Sequence, residues 1–185
     1  MIFKSSNQEI SSLKVIEWNI NSDERGSFSK LFSKNAYKEL NIDFNVKQIN
    51  LSHNIIKGTL RGMHYQSSNP DSKLVTSLRG SILDIAVDIR SGSDTFLEWQ
   101  SVILDSDKGN SFYIPSGFAH GFITLTDDVK LLYLHDEEYL PENQCGINPF
   151  DPALSIDWKN EVKSINSRDK NFKFLNKNFK GIKLS

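Results

Sequence analysis

The run Ile82 to Arg90 alternates without a break. Leu83, Ile85, Val87 and Ile89 fall on one side, and Asp84, Ala86, Asp88 and Arg90 on the other. A period of two belongs to a β-strand and is incompatible with a helix. Shorter runs of the same kind recur at Phe44–Ser52, Leu74–Leu78, Glu98–Leu104, Ser111–Ile114, Gly121–Leu125 and Val129–Leu134. Gly80, Gly92, Gly109 and the pair Asp127-Asp128 punctuate them as turns. Many short strands at close spacing predict an all-β sandwich or closed barrel. Asn35–Leu40 reads as a short helix. The Lys/Asn-rich end, Lys159 to Ser185, reads as a short helix or loop with a peripheral tail over 171–185. The whole chain, 1–185, reads as one domain. The carboxylates of Ile82–Arg90 should face water in an ordinary sheet; in a barrel the same face lines a polar cavity.

Composition removes several classes of function. Net charge is −1, from 22 basic and 23 acidic residues, without the basic excess of a nucleic-acid binder. The single cysteine, Cys145, supports neither a disulfide framework nor a thiolate metal site. No apolar run approaches membrane-spanning length, and Met1 to Asn7 lacks the apolar core of a signal peptide, so a cytoplasmic location is expected.

The chemistry concentrates in Arg61-Gly62-Met63-His64-Tyr65-Gln66. Arg61 and Lys73 flank His64, and both suit an anion such as phosphate. Asp84 and His120 offer further polar groups. The spacing Gly109-x5-Pro115-x-Gly117-x2-His120 is similar to the second motif of the cupin superfamily. Metal-binding cupins add a His-x-His pair, and none occurs among the four histidines His53, His64, His120 and His135. No metal is therefore expected, and His120 is expected to contact substrate or support the site. On strand evidence alone Tyr133 reads as a core tyrosine whose hydroxyl finds a partner; a phenol can nevertheless act as a general acid when placed across a substrate from a base.

Taken together, these segments resemble the dTDP-4-dehydrorhamnose 3,5-epimerase family from about Val15 to Lys170. The carriers are Asp23-Glu24-Arg25-Gly26, Gln48-Ile49-Asn50, Leu60 to Gln66, Lys73-Leu74-Val75, Asp84 to Arg90, Ile114 to Phe122 and Asp151 to Trp158. The resemblance implies a cupin-type jelly-roll β-barrel with short peripheral helices. It also implies a homodimer with no metal or organic cofactor, acting on a nucleotide-diphosphate 4-keto sugar. His64 matches the family's general base, Asp169 the carboxylate paired with it, and Tyr133 the proton donor on the opposite face. Lys73 matches the lysine that stabilises the enolate. Arg25, Gln48, Asn50, Arg61, His120 and Arg168 match substrate-binding positions. The residue types fit proton abstraction beside a ketone, because an imidazole titrates near neutrality and an enolate oxygen needs a nearby cation.

The departures from the family pattern fall where it holds the nucleotide base. Ser27 replaces a phenylalanine, Lys30 a glutamate, Glu138 one of two tandem tyrosines, Leu134 a lysine, and Cys145 a loop glutamate. They leave CDP or another nucleotide open beside dTDP, and inversion at C3, C5 or both. A 3,4-ketoisomerase, a non-catalytic sugar-binding cupin and a metal-dependent oxygenase are competing readings. Retention of His64, Lys73, Tyr133 and Asp169 together argues against a mere binder.

Overall fold

A computed structural model describes residues 3–184. The N-terminal half contributes β1 (Phe3–Asn7), β2 (Lys14–Trp18), β3 (Asn21–Asp23), β4 (Gly26–Phe28), α1 (Lys34–Glu39), β5 (Gln48–Asn54) and β6 (Thr59–Gln66). Then follow β7 (Lys73–Arg79), β8 (Ser81–Asp88), β9 (Trp99–Asp105), β10 (Asn110–Ile114), β11 (Phe118–Thr124) and β12 (Val129–His135). The end of the chain adds a 3-10 turn at Pro141–Asn143, β13 (Gln144–Gly146), β14 (Ser164–Ile165) and α2 (Ser167–Lys170).

Two sheets face each other, in the order β1-β2-β10-β7-β12-β5 and β13-β6-β11-β8-β9, and β14 pairs with β6. The fold is all-β and of the cupin type, with two short helices at its edge. β3 and β4 form a separate hairpin, exposed along its whole length. The core between the sheets contains Ile82, Ala86, Phe112, Phe122 and Leu131. A second apolar layer covers the outer face of the second sheet, where Leu83, Ile85 and Val87 meet Leu154 and Trp158. A third packs α1 and its flanks against the first sheet through Tyr37, Phe44, Leu74 and Leu134.

This three-layer arrangement explains why β8 is buried throughout. Its apolar side lies under the C-terminal segment, and its other side faces the interior. Asp84 and Asp88, expected to face water or a cavity, are both fully buried. Asp88 accepts hydrogen bonds from Arg90, Ser93 and Thr95, while Asp84 meets His120. A buried carboxylate persists only with such partners.

The segment Asp151 to Trp158, notable in the sequence, is a wrap. Asp151 accepts from the backbone N–H groups of Ala153 (2.8 Å) and Leu175 (2.5 Å), which closes its loop onto the later chain. The indole of Trp158 donates to the Pro149 carbonyl (3.0 Å). Further on, Ile182 is buried and its N–H donates to the Ile89 carbonyl (2.7 Å), so the last residues are tied to the end of β8.

The strand expected over Phe44–Ser52 begins only at Gln48, because Phe44 leaves the sheet to fill the core under α1. β1 and β2 carry no alternation strong enough to announce them; their pairing with each other and with β10 makes them strands.

Candidate active site

A cavity of about 410 Å³ opens between the sheets. On the first sheet the register sets its wall in rows. Gln48, His135 and Lys73 are directly opposite one another on β5, β12 and β7. Asn50, Tyr133 and Val75 form the next row. Period-two alternation along each strand sends Gln48, Asn50 and Ser52, and likewise Tyr133 and His135, to the same face.

The second sheet supplies the opposite wall through His64, Arg61 and His120. His64 and His120 are register partners on β6 and β11. Strict alternation would send Arg61 and His64 to opposite faces, three residues apart. Both reach the cavity because β6 carries one extra residue: His120 pairs with His64, while Phe122 pairs with Arg61. Gly62 permits this. Its φ is +132°, and a Cβ there would lie 2.5 Å from the Cα of Gly121.

His64 Nε2 is 2.8 Å from Asp169 Oδ1. Asp169 is fully buried, and its Oδ2 accepts from the Gly62 N–H at 3.0 Å. Burial pushes this carboxyl up, but the bonds from His64 and Gly62 outweigh it and hold the group below its ordinary range. A charged Asp169 accepts a hydrogen bond from Nε2–H, which leaves Nδ1 as the lone-pair nitrogen of His64. Asp169 comes from α2, where the Asn166 side chain caps the helix by accepting from the Asp169 N–H (2.7 Å). Beside it, Arg168 donates to Gln144 Oε1 (2.8 Å) and lies 3.3 Å from His64 Nε2.

Tyr133 lies on the first-sheet wall, its hydroxyl 3.5 Å from Ser52 Oγ. Burial is the main cause holding its phenol well above the usual range, so it stays protonated and able to donate. His120 Nε2 meets Asp84 Oδ1 at 2.5 Å, and its ring is edge-on to Tyr133 with centroids 6.3 Å apart. Arg61 is held by Asn54 Oδ1 (2.8 Å).

Of the residues singled out in the sequence, His64, Lys73, Tyr133, Gln48, Asn50, Arg61 and His120 line one cavity, with Asp169 and Arg168 behind His64. Arg25 does not join them. It sits at the turn of the β3–β4 hairpin, 83% exposed, paired with Asp23 at 2.5 Å. Sequence reasoning missed Asp71, His135, Tyr139 and Gln144, which also line the cavity. His135 was within reach, because two positions after Tyr133 on one strand is the same face. Cys145 lies in β13 behind the wall, where burial and then its own proximity push Tyr65 up to about 12. Among the described residues no group of three or more His, Cys, Asp or Glu could hold a metal ion. No helix among them is long and apolar enough to cross a membrane.

Comparison with known proteins places this geometry. The sequence profile described as dTDP-4-dehydrorhamnose 3,5-epimerase matches residues 7–177. The enzyme of that name from Methanothermobacter thermautotrophicus is 40% identical over 167 residues, covering 89% of this chain and 90% of its own. A crystal structure of the Legionella pneumophila dTDP-6-deoxy-D-glucose-3,5-epimerase, in complex with dTDP-4-keto-L-rhamnose, is similar with TM-score 0.89. It is 41% identical, with 93% of this chain and 92% of that one covered. A 3'-monoepimerase from Streptomyces bikiniensis, in complex with dTDP-quinovose, has TM-score 0.84 and 33% identity over 91% of this chain and 86% of its own.

Proposed function

The chain belongs to the dTDP-4-dehydrorhamnose 3,5-epimerase family, and on that premise we propose how its cavity works. It is an isomerase that inverts C3, C5 or both of a nucleotide-diphosphate 4-keto-6-deoxysugar. The relatives' names and bound ligands support dTDP as the nucleotide, despite Ser27, Lys30 and Glu138.

His64 is the general base. The ketone acidifies the C–H bonds at C3 and C5, and Nδ1 takes one of these protons. The bonding electrons move to the C4 oxygen as an enolate. Asp169 fixes the ring and stabilises the imidazolium, as the carboxylate does in a Ser-His-Asp triad. Lys73, on the opposite wall, supplies the cation for the enolate oxygen. Tyr133 returns a proton to the opposite face of the carbon, which inverts it. Arg61, His120, Gln48, Asn50 and Arg168 hold the sugar and diphosphate. The observation that carries this reading is the placement of a carboxylate-backed imidazole and a protonated phenol on facing sheets of one cavity.

The enzyme works as a homodimer in the cytoplasm. An apolar depression on the outer face of the first sheet, lined by Phe32, Val46, Leu132 and Leu134, supports the dimer. It adjoins Ile49 and Leu51, each 63% exposed on the edge strand β5. Such a patch on an open sheet edge calls for a partner. Arg25, clear of its own chain's cavity, would then serve the neighbouring one, together with Phe28, 74% exposed on the same hairpin.

The test is NMR in D2O with a panel of dTDP-, CDP- and UDP-linked 4-keto-6-deoxysugars. Deuterium should enter C3, C5 or both of the dTDP sugar, and His64→Ala should abolish it. Exchange that persists in His64→Ala would remove the base from the mechanism.

A further inference from the structure

Lys73 poses a problem that the mechanism leaves open. A lysine has a flexible four-carbon stem and a compact charge with three donors. Nothing in the residue itself fixes where that charge sits, yet an enolate oxygen needs it at one place. Its surroundings supply the answer. Asp71 Oδ2 is 3.3 Å from Lys73 Nζ and 2.7 Å from His135 Nδ1. One carboxylate oxygen thus joins the lysine to the histidine directly across the strand pair. The side chains of Lys73 and Asp71 are each 8% exposed and that of His135 15%, so solvent has little part in the cluster.

The histidine is itself held on two sides. Its Nε2 is 3.4 Å from Asn50 Nδ2, and its ring is stacked against Tyr133 with centroids 6.1 Å apart and planes 17° off parallel. Asn50 Oδ1 accepts from Gln48 Nε2 (3.1 Å), and Gln48 Oε1 accepts from the Tyr139 N–H (2.9 Å). Donors and acceptors are consistent along the whole line. Tyr139 N–H donates to Gln48, Gln48 to Asn50, Asn50 to Nε2, and Nδ1–H to Asp71, which also accepts from Lys73. The line tethers the lysine to the loop after β12.

We propose that Asp71 and His135 are positioning residues for Lys73: His135 orients the Asp71 carboxylate, and the carboxylate holds the ammonium where it meets the enolate oxygen. One N–H of the lysine goes to Asp71, and two remain for substrate. This rests on the enolate role given to Lys73 above. A charge displaced by about an ångström loses up to about a hundredfold in rate. Substrate binding, carried by Arg61, Arg168, His120, Gln48 and Asn50, changes little because none of these side chains is replaced.

The experiment measures kcat and KM with dTDP-4-keto-6-deoxyglucose, and slow deuterium wash-in by NMR where turnover is weak. His135→Leu, His135→Asn and Asp71→Asn are each made alone and combined with Lys73→Met. Lys73→Met should lose about 10²–10³ in kcat. His135→Leu and Asp71→Asn should lose about 10- to 100-fold in kcat, with KM within about threefold of the parent. His135→Asn places an amide N–H where Nδ1–H stood and should retain kcat within about threefold. In the Lys73→Met background none of the three substitutions should lower activity further, because all act through the lysine. Losses that multiply on Lys73→Met, a loss confined to KM, or His135→Asn as damaged as His135→Leu would each overturn the proposal. So would parental kcat in both single variants. If His135→Leu does not fold, the near-isosteric Asp71→Asn and His135→Asn decide the matter. Parental activity in Lys73→Met itself would instead sink the enolate role. Failure of the premise is thereby separated from failure of the inference.

Discussion

Replacing Asp169 by Asn and by Ala should reorder the same three proteins in two different assays. Asp169 has two tasks with separate oxygens: Oδ1 faces His64 Nε2 at 2.8 Å, and Oδ2 accepts from the buried Gly62 N–H at 3.0 Å. In Asp169→Asn the amide has one orientation that spares the backbone. Its oxygen must face Gly62, because a second donor there would leave two buried N–H groups opposed. Its NH2 then faces His64 and donates to Nε2. His64 is forced into the tautomer with a proton on Nδ1, and the nitrogen facing substrate has no lone pair. The same inversion in a Ser-His-Asp triad costs about 10⁴ in kcat. At about 1.4 kcal/mol per tenfold this is about 5.5 kcal/mol of barrier. Asp169→Ala imposes no tautomer, so some His64 keeps the reactive form, and kcat should fall less than in Asp169→Asn. Stability should run the other way. Ala leaves the Gly62 N–H without an acceptor, which costs about 1–3 kcal/mol beyond the emptied volume, whereas Asn retains that bond. The assays are steady-state kcat on the dTDP-linked 4-keto sugar and the midpoint of chemical denaturation. The expected order is parent, Ala, Asn in kcat and parent, Asn, Ala in stability. An Asn variant as active as the Ala variant, or more so, would refute the tautomer argument.

Tyr133→Phe removes the proposed proton donor but leaves the proposed base, so inversion should fall by about 10²–10⁴ while deuterium exchange at His64 continues; loss of both together would deny the split of roles. Gly62→Ala should lose several degrees of melting temperature or fail to fold, because its φ of +132° and a Cβ 2.5 Å from Gly121 leave it no room; a parental melting curve would contradict the close approach of β6 and β11. Acid should destabilise the protein through Asp88, Asp71 and Asp169. Burial pushes Asp88 up, but its bonds from Arg90, Ser93 and Thr95 hold it at about 2 against an ordinary 3.8. Its folded value is depressed, so its stabilisation is complete above about pH 4 and is lost as pH falls through the folded value. Asp71 and Asp169 are lowered as well and act in the same direction. Denaturation midpoints should therefore hold between pH 7 and 5 and drop below pH 4, and Asp88→Asn should be less stable at pH 7 with a flatter acid limb.

How much of this was legible in the chain depends on the range of each interaction. Alternation from Ile82 to Arg90 determined a strand, and the placement of Tyr133 on a similar run determined that His135 shares its face, because side-chain direction in a strand repeats every two residues. The motifs around His64, Lys73 and His120 pointed to residues that the structure brings to one cavity. Local pattern could not say that Arg61 and His64 share a wall. That follows from one extra residue on β6, and its cause is the contact of Gly62 with Gly121 on a strand about sixty residues away. Nor could it place Arg25, whose resemblance to a binding position says nothing of a hairpin that stands outside its own chain's cavity. The fully buried carboxylates of Asp84 and Asp88 were unreadable for the same reason, since their face of β8 is covered by the interior between the sheets and their partners lie on another strand and on the loop after β8. The Asp71–His135–Lys73 cluster is set by the pairing of β7 with β12, and the His64–Asp169 pair by a four-residue helix near the end of the chain. Sequence by itself determined which residue types are available for chemistry and, on strands without an extra residue, which face they occupy. Only the tertiary structure decided which of them meet, because strand pairing and chain reversal act between residues far apart, where a period of two carries no information.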